Sequence, residues 1–101
     1  MNYKVVTEDL KSLGLRKNPN VMTFYINKFV KEKNRLEKNN KDYGGIWCAV
    51  NLSNAKRLSK YIKQKYNKET KIFMVEIGKI LYQNSYRVKT DKVKLINQWT
   101  G

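Results

Sequence analysis

The chain of 101 residues contains no histidine, a single cysteine and a single proline. Without imidazole there is no histidine-based catalytic triad, no common zinc ligand of that type and no side chain that titrates unperturbed near neutrality. Cys48 alone excludes an intramolecular disulfide framework, and its place in an apolar run fits a reducing compartment. No stretch approaches the roughly 20 apolar residues of a membrane span. Asn2 to Thr7 leads directly into Glu8-Asp9, which is unlike a secretory leader, so a cytoplasmic, membrane-free protein is expected. Acidic residues are scarce as well, 8 against 22 lysines and arginines, for a net charge of +14. That imbalance works against compaction by self-repulsion, and a polyanionic partner offsets it.

What the sequence does hold is a globular pattern. Aromatics make up 12% of the residues and apolar side chains 41%, too much for a disordered basic tail, and the length suits one domain. Tyr3 to Thr7 reads as a β-branched strand, with Thr7 capping a short helical turn from Glu8 to Leu13 that Gly14 stops. Leu15 to Asn20 reads as a loop around Pro19, and Val21 to Ile26 as a second strand. Residues 27–42 hold only Phe29, Val30 and Leu36 as apolar anchors, which predicts a weak helix or a mobile loop. Tyr43-Gly44-Gly45 predicts a turn before Ile46 to Val50, an apolar run expected in the centre of a sheet. Ser53 is the expected cap of a helix over 54–67, whose Ala55, Leu58, Ile62 and Tyr66 recur at three- and four-residue steps. Lys71 to Ile77 is a further strand, residues 78–84 a connector or helical turn, and Trp99 a final anchor. The expected fold is α+β, a single small domain with a mostly antiparallel sheet packed with one main amphipathic helix.

Two basic segments stand out. Ser85 to Leu95, SYRVKTDKVKL, alternates apolar with basic on both sides of Thr90-Asp91, which predicts a hairpin with Val88 opposite Val93 and Tyr86 opposite Leu95. That register puts Arg87, Lys89, Lys92 and Lys94 on one face. The helix carries Lys56, Arg57, Lys60, Lys63 and Lys65 without an acid among them. The charge also concentrates in the second half: residues 1–50 hold ten basic and five acidic side chains, net +5, and residues 51–101 hold twelve and three, net +9. Lys56, Arg57, Lys60, Lys63, Arg87, Lys89, Lys92 and Lys94 are therefore the candidate anion-binding residues, contacting phosphates without reading sequence. Tyr61, Tyr66, Tyr82 and Tyr86 lie among them at core periodicity and are expected at the core or its rim. Trp47 is expected in the core, and Tyr25 and Tyr43 are free to be exposed.

Enzyme signals are thin. Glu76, an acid inside an apolar strand, is expected on the solvent side, and Gly44-Gly45 is too short for a phosphate loop. No catalytic residue, metal or cofactor is expected.

The segments GGIWCAVNLSNAKRLSKYI and KIFMVEIGKILYQNSYRVKTDKVKL, with SLGLRKNP near the start, resemble small accessory proteins of bacteriophages and prophages of AT-rich bacteria. The resemblance implies a setting in counter-defence, including CRISPR inhibition. A glycine-led strand, a helix and a strand bearing an acid also resemble, in that order, ADP-ribosyltransferase-like folds. Those enzymes present histidine or arginine on an early strand where this chain offers Lys4, so their activity is not carried over. The expected function is binding of RNA, DNA or a nucleoprotein complex. The alternatives are an inhibitor of a host defence protein, acting on an acidic patch, and a sponge for a small nucleotide signal.

Overall fold

A computed structural model describes residues 1–14, 21–33, 35–41 and 44–101. The loop expected over 15–20 and Tyr43 of the expected glycine turn lie outside the described residues. Seven strands and one helix follow in the order β1 (Asn2–Thr7), β2 (Phe29–Lys31), β3 (Ile46–Ala49), α1 (Leu52–Tyr66), β4 (Thr70–Ile77), β5 (Ile80–Gln83), β6 (Arg87–Thr90) and β7 (Lys92–Trp99). All strands join one antiparallel sheet in the spatial order β2-β7-β4-β1-β3-β6-β5. The chain is a single compact α+β domain with a Cα radius of gyration of 12.3 Å.

The order overturns the expected hairpin. β6 pairs with β3 and β5, β7 pairs with β2 and β4, and the two strands never pair with each other. In a flat sheet they would lie about 19 Å apart at about 4.8 Å per strand. Asp91 alone joins them, and so short a link reaches only about 7 Å. The sheet must therefore curl until the end of β6 meets the start of β7. Gly78 and Lys79, which carry β4 to β5, turn the same corner: Gly78 N–H donates to the Lys92 carbonyl at 3.0 Å and Lys79 N–H to Asp91 Oδ1 at 2.8 Å. A Cβ on Gly78 would lie 2.2 Å from that carboxylate oxygen, so any other residue there displaces Asp91 from this corner.

Curling gives the sheet a filled inner face and a convex outer one. Val6, Ile46, Cys48, Phe73, Val75, Val88, Val93 and Leu95 pack inside, together with Phe24. Phe24 comes from the segment expected as a strand, which instead makes isolated bridges through Thr23, Tyr25 and Ile26. Outside, α1 lays Ala55, Leu58 and Leu52 on Val5 and Ile72, with Tyr3, Ala49 and Trp99 beside them. Val5 and Val6 are thus buried on opposite faces, and β1 is covered on both.

Local differences have local causes. Leu10 has φ 63°, outside the right-handed helical region, so residues 8–13 form turns and a bridge from Lys11 to Thr23 instead of a helix. The span 27–42 contains β2, and among its described residues there is no helix. Ile80–Gln83, expected as a connector, is the edge strand β5. Helix α1 is capped two residues earlier than expected: Asn51, in extended conformation, accepts from Asn54 N–H at 2.9 Å. Asn67 closes the helix in the left-handed region with φ 52°. Asn51→Ala is expected to lower unfolding free energy by about 1 kcal/mol, while Ser53→Ala leaves it nearly unchanged. Paired urea titrations check this, and equal losses would return the cap to Ser53.

Candidate nucleic-acid interface

Strand alternation fixes which side chains point outward. On β4, Ile72 lies under the helix, and Met74 and Glu76 follow on the same face. Across the ladders Ile72 is opposite Trp99, Glu76 opposite Lys94, Lys94 opposite Phe29, and Lys92 opposite Lys31. Lys92, Lys94, Phe29 and Lys31 therefore share the convex face with α1. On the other side of the helix, Tyr3 is opposite Ala49, Ala49 opposite Arg87, and Trp47 opposite Lys89. The two-faced reading of SYRVKTDKVKL survives without its pairing. All four cations turn outward while Val88, Val93 and Leu95 turn inward, but Arg87 and Lys89 lie on one side of α1 and Lys92 and Lys94 on the other.

The eight expected residues differ in what they can do. Lys56, Arg57 and Lys60 are exposed on the helix, and none of the three has an acidic partner among the described residues. The Lys56 ammonium lies 4.8 Å from the centre of the Trp99 ring. Lys63 pairs with Glu69 at 2.5 Å, and Lys94 with Glu76 at 3.0 Å, which places Glu76 on the solvent side as expected. The Lys92 and Lys94 ammoniums sit 4.6 and 4.9 Å from the centre of the Phe29 ring. Lys31 directly opposite Lys92 is a like-charge pair, unfavourable by itself. Arg87 stacks its guanidinium 3.8 Å from the centre of the Trp47 ring.

Lys89 is a correction. It is 0% exposed, its stem pressed by Gly45, where a Cβ would come within 2.6 Å of Lys89 Cγ. Its ammonium reaches the Lys41 carbonyl at 3.4 Å. Burial lowers its pKa, Glu37 opposes that shift, and Arg87 and Lys41 add to it. Lys89 therefore anchors the segment before β3 and leaves the set of phosphate-contacting candidates.

The aromatic expectations also change. Trp47 belongs to neither core cluster; it lies on the convex face, edge-on to Tyr82 at 5.9 Å, with its Nε1 buried and without a hydrogen-bond partner among the described residues. Tyr61, Tyr66 and Tyr86 are 45%, 47% and 63% exposed, against the expected placement at the core or its rim, which Tyr82, half-buried, does take. Tyr25 is exposed as expected. Sequence reasoning missed Phe29 and Lys31, because a three-residue strand inside a charged stretch carries too little alternation to register.

No family model, no curated protein and no solved structure matches this chain. Among the described residues no three acidic or cysteine side chains gather as metal ligands, and no helix is long and apolar enough to cross a membrane.

Proposed function

We propose that the protein binds nucleic acid, or a complex containing it, through phosphates on its convex face. One observation carries this reading: Lys56, Arg57 and Lys60 on the helix share a face with Lys92 and Lys31 on the sheet. Glu69 and Glu76 are already paired with Lys63 and Lys94. A row of phosphates would relieve the Lys31–Lys92 repulsion and satisfy the unpaired helix cations together. The resemblance to phage accessory proteins supplies counter-defence as the setting.

Affinity for labelled nucleic acid between about 50 and 200 mM salt is expected to fall linearly on logarithmic axes. Replacing Lys56, Arg57 and Lys60 together by glutamine should reduce that slope by about two to three, one for each lost phosphate contact. A flat salt dependence, or a slope the triple variant leaves intact, would end this reading. Gel filtration before and after nuclease separates the rivals. A protein partner that stays bound after digestion indicates an inhibitor of a defence enzyme, and a small nucleotide released on denaturation indicates a sponge.

A further inference from the structure

Phosphate contacts alone leave one part of this surface unexplained. At the C-terminal end of α1, Tyr61 and Tyr66 are both about half exposed, and their rings meet edge to face at 6.4 Å. Lys65 lies 5.4 and 5.5 Å from the two ring centres and donates to the Tyr61 hydroxyl at 2.9 Å. That hydrogen bond is the first cause that raises the Lys65 pKa, so the ammonium stays charged. No described acid pairs with Lys65, and Lys60 stands one position before Tyr61. A merely solubilising helix face does not need two exposed rings, and the hydrophobic face packed on the sheet is supplied by Leu52, Ala55 and Leu58 without them.

We infer that the convex face takes single strands, with the Tyr61 and Tyr66 rings stacking on unpaired bases while Lys65, Lys60 and Lys56 hold the neighbouring phosphates. This rests on the nucleic-acid reading above and narrows it. A duplex hides the faces of its bases, so exposed rings at its phosphate contacts would gain nothing; splayed bases offer a π face at every nucleotide whatever the sequence. Charge selects the occupant. An apolar peptide would leave Lys60 and Lys65 desolvated and unpaired, whereas a strand brings one negative charge with each base. RNA and DNA single strands share this chemistry.

The test compares mixed-sequence single-stranded DNA, single-stranded RNA and duplex DNA of one length by fluorescence anisotropy at fixed salt. The proteins are the full chain, Tyr61→Ala/Tyr66→Ala and Tyr61→Phe/Tyr66→Phe. Both single strands are expected to bind more tightly than duplex, and a marked gap between them adds a contact to the sugar. The alanine pair should weaken single-strand binding by about five- to 150-fold for each ring that stacks, with the salt slope unchanged because stacking releases no counterions. The phenylalanine pair should restore the affinity, since it keeps the rings and loses only the hydroxyls. Equal binding of duplex and single strands, or an alanine pair that binds like the parent with its salt slope intact, overturns the single-strand inference and leaves phosphate binding standing. No binding to any of the three probes overturns both. Thermal melts of each variant confirm that the exposed substitutions leave the fold in place.

Discussion

Phe24→Ala is expected to remove about 3 to 5 kcal/mol of unfolding free energy, out of a total of about 5 to 15 for a domain of this kind. Phe24 is 1% exposed and lies in the inner cluster with residues from five strands, yet its own segment forms no regular strand and is held by isolated bridges and single hydrogen bonds. Its amide donates to the Leu10 carbonyl at 2.8 Å, which ties it to the turn after β1. The ring therefore closes the open side of the curl, and a cavity there would have no regular strand behind it to collapse inward. Denaturant titration measures the loss, with Val21→Ala and Tyr25→Ala as neighbours that are half exposed and should change stability by less than about 0.5 kcal/mol. A loss from Phe24→Ala no larger than theirs would mean that the segment over 21–26 does not seal the interior.

The same residue shows where sequence pattern stops being informative. Period-two alternation correctly separates Val88, Val93 and Leu95 from Arg87, Lys92 and Lys94, because the pleat dictates faces whatever the partner strand is. It says nothing about which strand lies alongside. Thr90-Asp91 has the composition of a hairpin turn, and a corner in a curled sheet needs the same composition, so the two could not be told apart. The corner's real mark is Gly78, whose missing side chain admits Asp91, a contact of thirteen residues' separation that no local window contains. Helix α1 was legible through Ala55, Leu58 and Ile62, and its cap was displaced because Asn51 and Ser53 are both good caps and only the backbone chooses. Tyr61 and Tyr66 were misplaced for different reasons: Tyr61 lies about 100° around the helix from Ile62, and Tyr66 is in the last turn. Most of the basic surface was readable as charge. Its division by the helix, the burial of Lys89 beneath Gly45 and the gain of Lys31 all depend on strand order.

Lys4 is the side chain the pattern should have questioned, since it shares the inward face of β1 with Val6. Part of the residue remains at the surface, but its ammonium end is packed inside, 5.4 Å from the centre of the Phe24 ring and donating to the Trp47 carbonyl at 2.5 Å. β1 and β3 share one residue pair, Tyr3 with Ala49, so this donor reaches a strand carbonyl where the ladder is short. Burial lowers the Lys4 pKa, with Cys48 opposing. Burial also pushes the Cys48 thiol up to about 11, with Lys4 opposing. The linkage signs are opposite. As pH rises from the lowered folded pKa of Lys4 towards 10.5, the unfolded chain holds the extra proton, so stability grows. Between the unfolded thiol value of 9.0 and about 11 the folded chain holds the Cys48 proton, so stability declines. Lys4→Met removes the first contribution and enlarges the second, because the ammonium no longer opposes the Cys48 shift. Desolvation of an ammonium costs several kcal/mol, more than one charged hydrogen bond to a carbonyl returns, at about 1.5 to 3 kcal/mol. The variant is therefore expected to be more stable than the parent at neutral pH by about 1 to 4 kcal/mol. The difference should shrink as pH approaches 10.5. Chemical denaturation of parent and variant across that range measures the difference directly and cancels the general relief of self-repulsion that both share. A variant that is less stable at neutral pH would show that the Trp47 carbonyl depends on the ammonium more than the ammonium suffers from its burial.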